Sequence, residues 1–189
     1  VVYEMGPKAG GMMRAGIPPY RLPDETLDGE IQAIAELGVD IRTNTKIESV
    51  DRLFQEGADA VFLSPVAPKG IQMNIPGGDS PRVLDGIDVL YQINLGTNVE
   101  LGQSVAVVGG GNVAVDVSRS LLRIGVPNVT LLYRRTREEM PAFTHEIDAA
   151  QEEGVTFRYL TAPVAVAQSN GQINVDCIHM ELGSPDASG

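Results

Sequence analysis

Residues 105–116 read Val-Ala-Val-Val-Gly-Gly-Gly-Asn-Val-Ala-Val-Asp, and no other stretch constrains the fold as much. An apolar, β-branched run breaks into three glycines and then opens a segment with helical spacing. Glycine permits positive φ and lets a backbone approach a ligand with no Cβ in between. A helix starting there aims its free N–H groups and its positive dipole end at whatever sits above the turn, which suits an anion. Gly109-x-Gly111-x-x-Ala114 has the spacing of the fingerprint for a dinucleotide pyrophosphate, with Ala114 where only close helix–strand packing is required. The candidate phosphate-cradling residues are Gly109, Gly110, Gly111, Asn112, Val113 and Ala114.

The context extends the motif. Val113, Val117, Leu121 and Leu122 fall near helical spacing, Gly125 stands where a helix C-cap belongs, and residues 129–133 form a second apolar run. Strand, glycine turn, helix and strand follow in the length of one βαβ half. The competing reading is a glycine-rich turn in some other α/β domain. At the end of the second strand stands Arg134-Arg135-Thr136-Arg137, with no acid to accept from a ribose 2′-OH. Guanidinium forks match phosphate oxygens, so Arg134, Arg135 and Arg137 predict a 2′-phosphate and a preference for NADPH over NADH. The rival is a solvated helix start in which Arg134 pairs with Glu138 and Arg135 with Glu139 at i,i+4 spacing.

The 189 residues carry 14 basic against 25 acidic side chains, a net charge of −11. That argues against nucleic acid or an anionic membrane as partner, since both require a basic face. No apolar run approaches the ~20 residues of a membrane span, and no charged start leads into an apolar stretch, so neither membrane insertion nor a signal peptide is expected. A single cysteine, Cys177, allows no internal disulfide and fits a reducing cytoplasm; its flanks predict a buried structural thiol. The chain opens inside a strand, Val1-Val2-Tyr3-Glu4, without an initiator methionine. This predicts the second strand of another dinucleotide-binding unit whose first strand lies upstream. Glu4 there is either the ribose acceptor of an adenine dinucleotide or a solvated carboxylate at an ordinary strand end.

Along the chain, residues 6–23 read as an irregular Gly/Pro loop, and Asp24 as the cap of a helix that Gly38 stops. Residues 39–43 read as a short strand, 58–63 as a buried apolar strand, 64–81 as a linker, and 82–102 as partly helical. A helix over residues 145–153, ended by Gly154, precedes a strand at 155–160. Residues 164–167 and 173–176 flank Asn170-Gly171, which predicts a β-hairpin, while residues 183–189 read as a polar loop. No Ser/His/Asp set is present, no carboxylate pair has a reason to be placed together for catalysis, and His145 and His179 lack metal-ligand spacing, so no catalytic or metal-binding residue is assigned. Asn112 either caps its helix or touches the cofactor. Asp116 is either functional or a carboxylate favoured by the dipole alone.

Residues 10–23, Gly-Gly-Met-Met-Arg-Ala-Gly-Ile-Pro-Pro-Tyr-Arg-Leu-Pro, resemble a signature of the glutamate synthase small-subunit family. So do residues 109–116, residues 133–142 (Tyr-Arg-Arg-Thr-Arg-Glu-Glu-Met-Pro-Ala) and the tail Met180-Glu181-Leu182-Gly183. That family groups FAD- and NADPH-dependent oxidoreductases, the flavin/NADPH part of dihydropyrimidine dehydrogenase among them. The resemblance implies an α/β, Rossmann-like FAD/NAD(P)-binding domain with an antiparallel hairpin insertion, plus part of a second such domain. It implies a partial FAD-binding domain and linker over 1–102 and an NAD(P)H-binding domain over 103–189. It implies that Glu4 holds the FAD ribose, that Gly10, Gly11 and Arg14 line the flavin side, that Gly109, Gly111, Asn112 and Ala114 cradle NADPH phosphates, and that the three arginines meet the 2′-phosphate. The implied activity is hydride transfer from NADPH to FAD, with electrons passed to a larger redox subunit or iron–sulfur protein.

Three departures qualify that expectation. The N-terminal FAD fingerprint and the late Gly-Asp motif are absent. So is the cysteine-rich iron–sulfur segment, which places any cluster outside this stretch or in a partner. After Val61-Phe62-Leu63 the family has an Ala-Thr-Gly-Ala-like turn, whereas this chain has Ser64-Pro65-Val66-Ala67, in which Pro65 lacks an N–H and no glycine remains. The stretch alone is accordingly expected to be inactive. The alternative function is a non-catalytic nucleotide-binding module of a larger redox complex.

Overall fold

The computed structural model describes residues 1–65, 70, 72–169 and 171–184. Val66 and Ala67 of the family departure, Asn170 of the hairpin turn and the end of the expected polar tail lie outside the described residues. The chain divides into two compact units, Val1–Pro68 and Lys69–Gly189.

The first unit begins with β1 (Val2–Tyr3), followed by α1 (Gly11–Gly16), α2 (Asp24–Glu36), β2 (Ile41–Arg42) and α3 (Val50–Gln55). β1 and β2 pair in parallel, with Val2 opposite Ile41. Asp24 does not cap α2. Pro23 takes the N-cap position, and an Asp24 carboxylate oxygen instead accepts from the Arg14 guanidinium at 3.3 Å. Residues 58–63 form no strand; Phe62 is 92% exposed and Leu63 is exposed beside it. An apolar run becomes a strand only where a neighbouring backbone completes its ladder. Among the described residues none pairs with this one.

The second unit carries α4 (Gly86–Asn94), β3 (Ser104–Val108), α5 (Asn112–Arg123) and β4 (Asn128–Leu132). After a 3₁₀ turn at Arg137–Glu139 come α6 (Thr144–Glu152), β5 (Thr156–Arg158), β6 (Thr161–Ser169) and β7 (Gln172–His179). Asp85 caps α4, one carboxylate oxygen accepting from Ile87 N at 2.8 Å. β3, β4 and β5 form a parallel sheet in that order, with Val105 opposite Val129 and Leu131 opposite Phe157. Parallel neighbours require crossovers, and α5 and α6 supply them.

α5 packs on β3 and β4 and against both α4 and α6. That surround explains why its buried stretch includes polar Asp116, Ser118 and Arg119 as well as apolar Val115 and Leu121. Leu90, Leu121, Leu131 and Val115 sit at the centre of the core. Arg119 binds Glu146 of α6, and both Arg119 and Arg123 reach Glu153 at 2.6 Å. Past α5, Gly125 adopts φ 96°, its N–H bonds Leu122 O and the N–H of Val126 bonds Leu121 O. This is the left-handed ending that glycine supports.

β6 and β7 form the antiparallel hairpin, with a bulge between Pro163 and Ala165. Cys177 on β7 is exposed rather than buried. Successive strand residues face opposite sides, and among the described residues no further strand joins this two-stranded sheet. Among the described residues no helix is long and apolar enough to cross a membrane.

Candidate functional site

β3 ends at Val108, and Gly109 redirects the chain with φ 145°, a conformation side chains rarely adopt. A Cβ on Gly109 would lie 3.1 Å from the Cβ of Ala114, so the small residue at 114 permits the close approach of helix to strand that the sequence spacing implied. Gly110 answers to a different constraint. A Cβ there would lie 2.4 Å from the Tyr133 ring, which packs beneath the loop. Gly111 is different again: its φ of −87° is ordinary, and a Cβ would meet no heavy atom within 4 Å. The residue therefore faces open space at the N-cap of a twelve-residue helix.

Ala114 and Val115 donate to Gly111 O, while the N–H groups of the two preceding helical residues have no carbonyl one turn back to bond. Open approach over Gly111, unshared amides and a helix dipole together fit a pyrophosphate. Asn112 is the first helical residue, and its side chain makes no cap; Oδ1 accepts from Phe143 N at 3.0 Å. Gly110 O accepts from Ala142 N at 3.1 Å, so residues 142–143 are strapped across the loop. Val113 is exposed, and Asp116 is buried within the unit.

The arginines follow at the end of β4. Tyr133 O accepts from Thr161 N at 2.9 Å and Arg135 O from Leu160 N at 3.0 Å, which fixes the backbone beneath both guanidiniums. Leu160 takes φ 50°, an uncommon conformation for a branched side chain, at this crossing into β6. Arg134 is exposed and edges a cavity of about 180 Å³ lined by Val108, Gly109, Leu132, Tyr133 and Pro163. Its position at the carboxyl ends of β3 and β4 is where open α/β sheets bind ligands. Arg137 turns away to α6, where it binds Asp148 and donates to Gln151 at 2.5 Å. The Asp148 carboxylate raises its pKa above the usual arginine range. The i,i+4 pairs of the rival reading do not form. Thr136 N and Oγ1 hold Glu139, at 2.9 and 2.6 Å, and the same hydroxyl lies 2.5 Å from Glu138. Sequence reasoning passed over Tyr133 and Thr136, although Thr136-x-x-Glu139 is the spacing of a capping box.

In the first unit Glu4 follows β1, and its Oε1 accepts from Gly6 N at 2.6 Å. A Cβ on Gly10 would lie 2.9 Å from the Leu27 side chain, whereas one on Gly11 would meet nothing within 4 Å. Arg14 is buried; its Nε donates to Ala9 O at 2.7 Å and its guanidinium binds Asp24 and Asp28. It therefore pins α1 to α2. His145 stacks on Phe143 with ring centroids 5.7 Å apart, and among the described residues no cluster of potential metal ligands occurs. A roomier cavity of about 540 Å³ lies at the amino ends of β3 and β4, and no titratable side chain lines it.

Residues 59–186 match the pyridine nucleotide-disulphide oxidoreductase family, and the chain belongs to it. Its relatives include the beta subunit of the NADP(+)-dependent formate dehydrogenase of Moorella thermoacetica, 44% identical over 195 residues, covering 100% of this chain and 27% of that protein. The small chain of the NADPH glutamate synthase of Halomonas elongata is 32% identical over 202 residues, covering 100% of this chain and 43% of that protein. The chain thus spans less than half the length of these relatives. The structure of Mycobacterium tuberculosis FprA in complex with NADPH superposes with a TM-score of 0.70 at 17% identity, over 95% of this chain and 61% of that one. That likeness establishes the shared fold.

Proposed function

We propose that this chain is the NADPH-binding part, with a share of the FAD-binding part, of an NADPH-dependent flavin oxidoreductase that delivers electrons to an iron–sulfur partner in a larger complex. Assignment by cofactor gives residues 103–189 to NADPH and 1–102 to FAD and a linker, while compactness divides the chain at Pro68. The observation that carries the reading is the open Cβ position of Gly111 at the head of α5, one strand away from Arg134 and Arg135. Gly109, Ala114 and the amides of Asn112 and Val113 seat the pyrophosphate. Arg134 and Arg135 bind the 2′-phosphate, while Arg137 braces the loop from α6. Glu4 and Gly11 serve the FAD ribose and its approach, and Arg14 acts by holding the Gly10 turn against α2. When bound, NADPH supplies the hydride and FAD accepts it, chemistry that belongs to the cofactors. The relatives named for formate dehydrogenase and glutamate synthase are subunits, which supports assembly with a partner. A single cysteine supports a cytoplasmic location.

Two neighbouring substitutions separate folding from binding. Gly111→Asp places a favoured N-cap on α5, so the unfolding temperature is expected to hold or rise slightly, while the added carboxylate occupies and repels the phosphate position. NADPH affinity is expected to fall by at least about a hundredfold, read by calorimetric titration. Gly110→Ala drives a methyl into the Tyr133 ring and is expected to cost about 1–3 kcal/mol of stability. Full NADPH affinity in Gly111→Asp would remove the glycine loop from the proposal.

A further inference from the structure

Residues 134–139 place three arginines and two glutamates in one short segment, enough acid to pair with both Arg134 and Arg135. Instead Thr136 engages both acids. Glu139 accepts from the Thr136 amide at 2.9 Å as well as from its hydroxyl, and Glu138 lies within 2.5 Å of that hydroxyl. The hydroxyl also accepts from the Glu139 N–H in the capping box. A hydroxyl has one proton to donate, so it serves Glu138 and Glu139 in turn, while the amide holds Glu139 throughout. Arg137 is occupied by Asp148. Among the described residues neither Arg134 nor Arg135 has a carboxylate partner.

We propose that Thr136 is a specificity-determining residue: by holding Glu138 and Glu139 it keeps Arg134 and Arg135 available to a phosphate monoester, and so sets the preference for NADPH over NADH. The proposal rests on the nucleotide reading above. Glu138 stands four residues from Arg134 in the same short segment, so a released carboxylate competes with the phosphate for the guanidinium by charge. The Thr136 hydroxyl, with the residue's own backbone amide and the adjacent Arg137, lowers the pKa of Glu138; a glutamate without that hydroxyl is still charged at neutral pH and competes once freed. NADH has no phosphate at this position and is indifferent to the competition.

The test is titration of the full chain with NADPH and with NADH, in the wild type, Thr136→Val, Thr136→Ser, and Thr136→Val combined with Glu138→Gln and Glu139→Gln. Thr136→Val is expected to weaken NADPH binding about fivefold to tenfold and to leave NADH within about twofold. Thr136→Ser is expected to behave as the wild type, and the triple variant to recover NADPH affinity. An unchanged NADPH/NADH ratio in Thr136→Val overturns the proposal. So does an equal loss of both nucleotides, which marks a purely structural cap, or a loss that the two glutamine substitutions fail to restore. A wild type that binds both nucleotides equally shows instead that the arginine reading itself has failed, and the proposal with it.

Discussion

Replacing Arg134 and Arg135 together with alanine is expected to lower NADPH affinity at least about a hundredfold and to leave NADH affinity nearly unchanged. Hydrogen bonds to a charged group contribute about 1.5–3 kcal/mol each, and a 2′-phosphate held by two guanidinium forks loses both partners at once. The fold has little stake in either side chain. Arg134 is exposed, and the contacts that fix this segment run through the backbone of Tyr133 and Arg135. Unfolding temperature should therefore stay within a few degrees of the wild type. The loss should also shrink at high salt, because screening weakens the wild-type interaction and not the variant's. A parallel fall in NADH affinity would mean that the arginines shape the site rather than read the phosphate.

Arg119→Ala is expected to produce the largest loss of stability, about 3–5 kcal/mol, because it leaves the Glu146 carboxylate buried without its guanidinium. The same guanidinium reaches Glu153, so one substitution loosens α6 from α5 at two points. Exchanging both members of the buried pair for apolar residues, Arg119→Met with Glu146→Leu, should restore most of the loss. Acid sharpens the test. Arg119 and Arg123 hold the Glu153 carboxyl below the ordinary glutamate range. A depressed folded pKa contributes stability that is complete above the unfolded value of about 4.3 and is lost as pH falls through the lower folded value. The wild type should therefore lose stability below about pH 4, and Arg119→Ala should lose less of it over that interval. Urea midpoints at pH 7 and at pH 3 check both statements; a cost under about 1 kcal/mol at pH 7 would contradict the first.

The parallel sheet and the glycine loop were legible because their signals are local. Gly109, Gly111 and Ala114 answer to the chain's own turn and helix, and Gly125 and Gly154 end helices within a few residues of the apolar runs they follow. The hairpin declared itself through alternation and a turn. What escaped the sequence depends on distant neighbours. The apolar run at 58–63 reads as a strand, yet its ladder partner cannot be inferred from composition. Cys177 reads as buried because its flanks in an apparent strand, Asp176 and Ile178, give no reason to expect a reactive thiol, but among the described residues its sheet has only two strands and the side chain is exposed. Gly110 looked like part of the phosphate cradle, and only the fold brings the Tyr133 ring beneath it. Arg14 and Arg137 carry charges that suit a phosphate or a flavin, while α2 and α6 supply the acids that hold them. Of the two readings of residues 134–139, helical pairing failed because the threonine between the arginines and glutamates takes the acids first.

Calorimetric titration of the full chain with NADPH and, in parallel, with NADH decides whether residues 109–115 and the paired arginines form a nucleotide site. Saturable NADPH binding is expected, at least about a hundredfold tighter than NADH, with the gap closing in the double arginine variant. Equal affinity for the two nucleotides, or heat from neither, would contradict it.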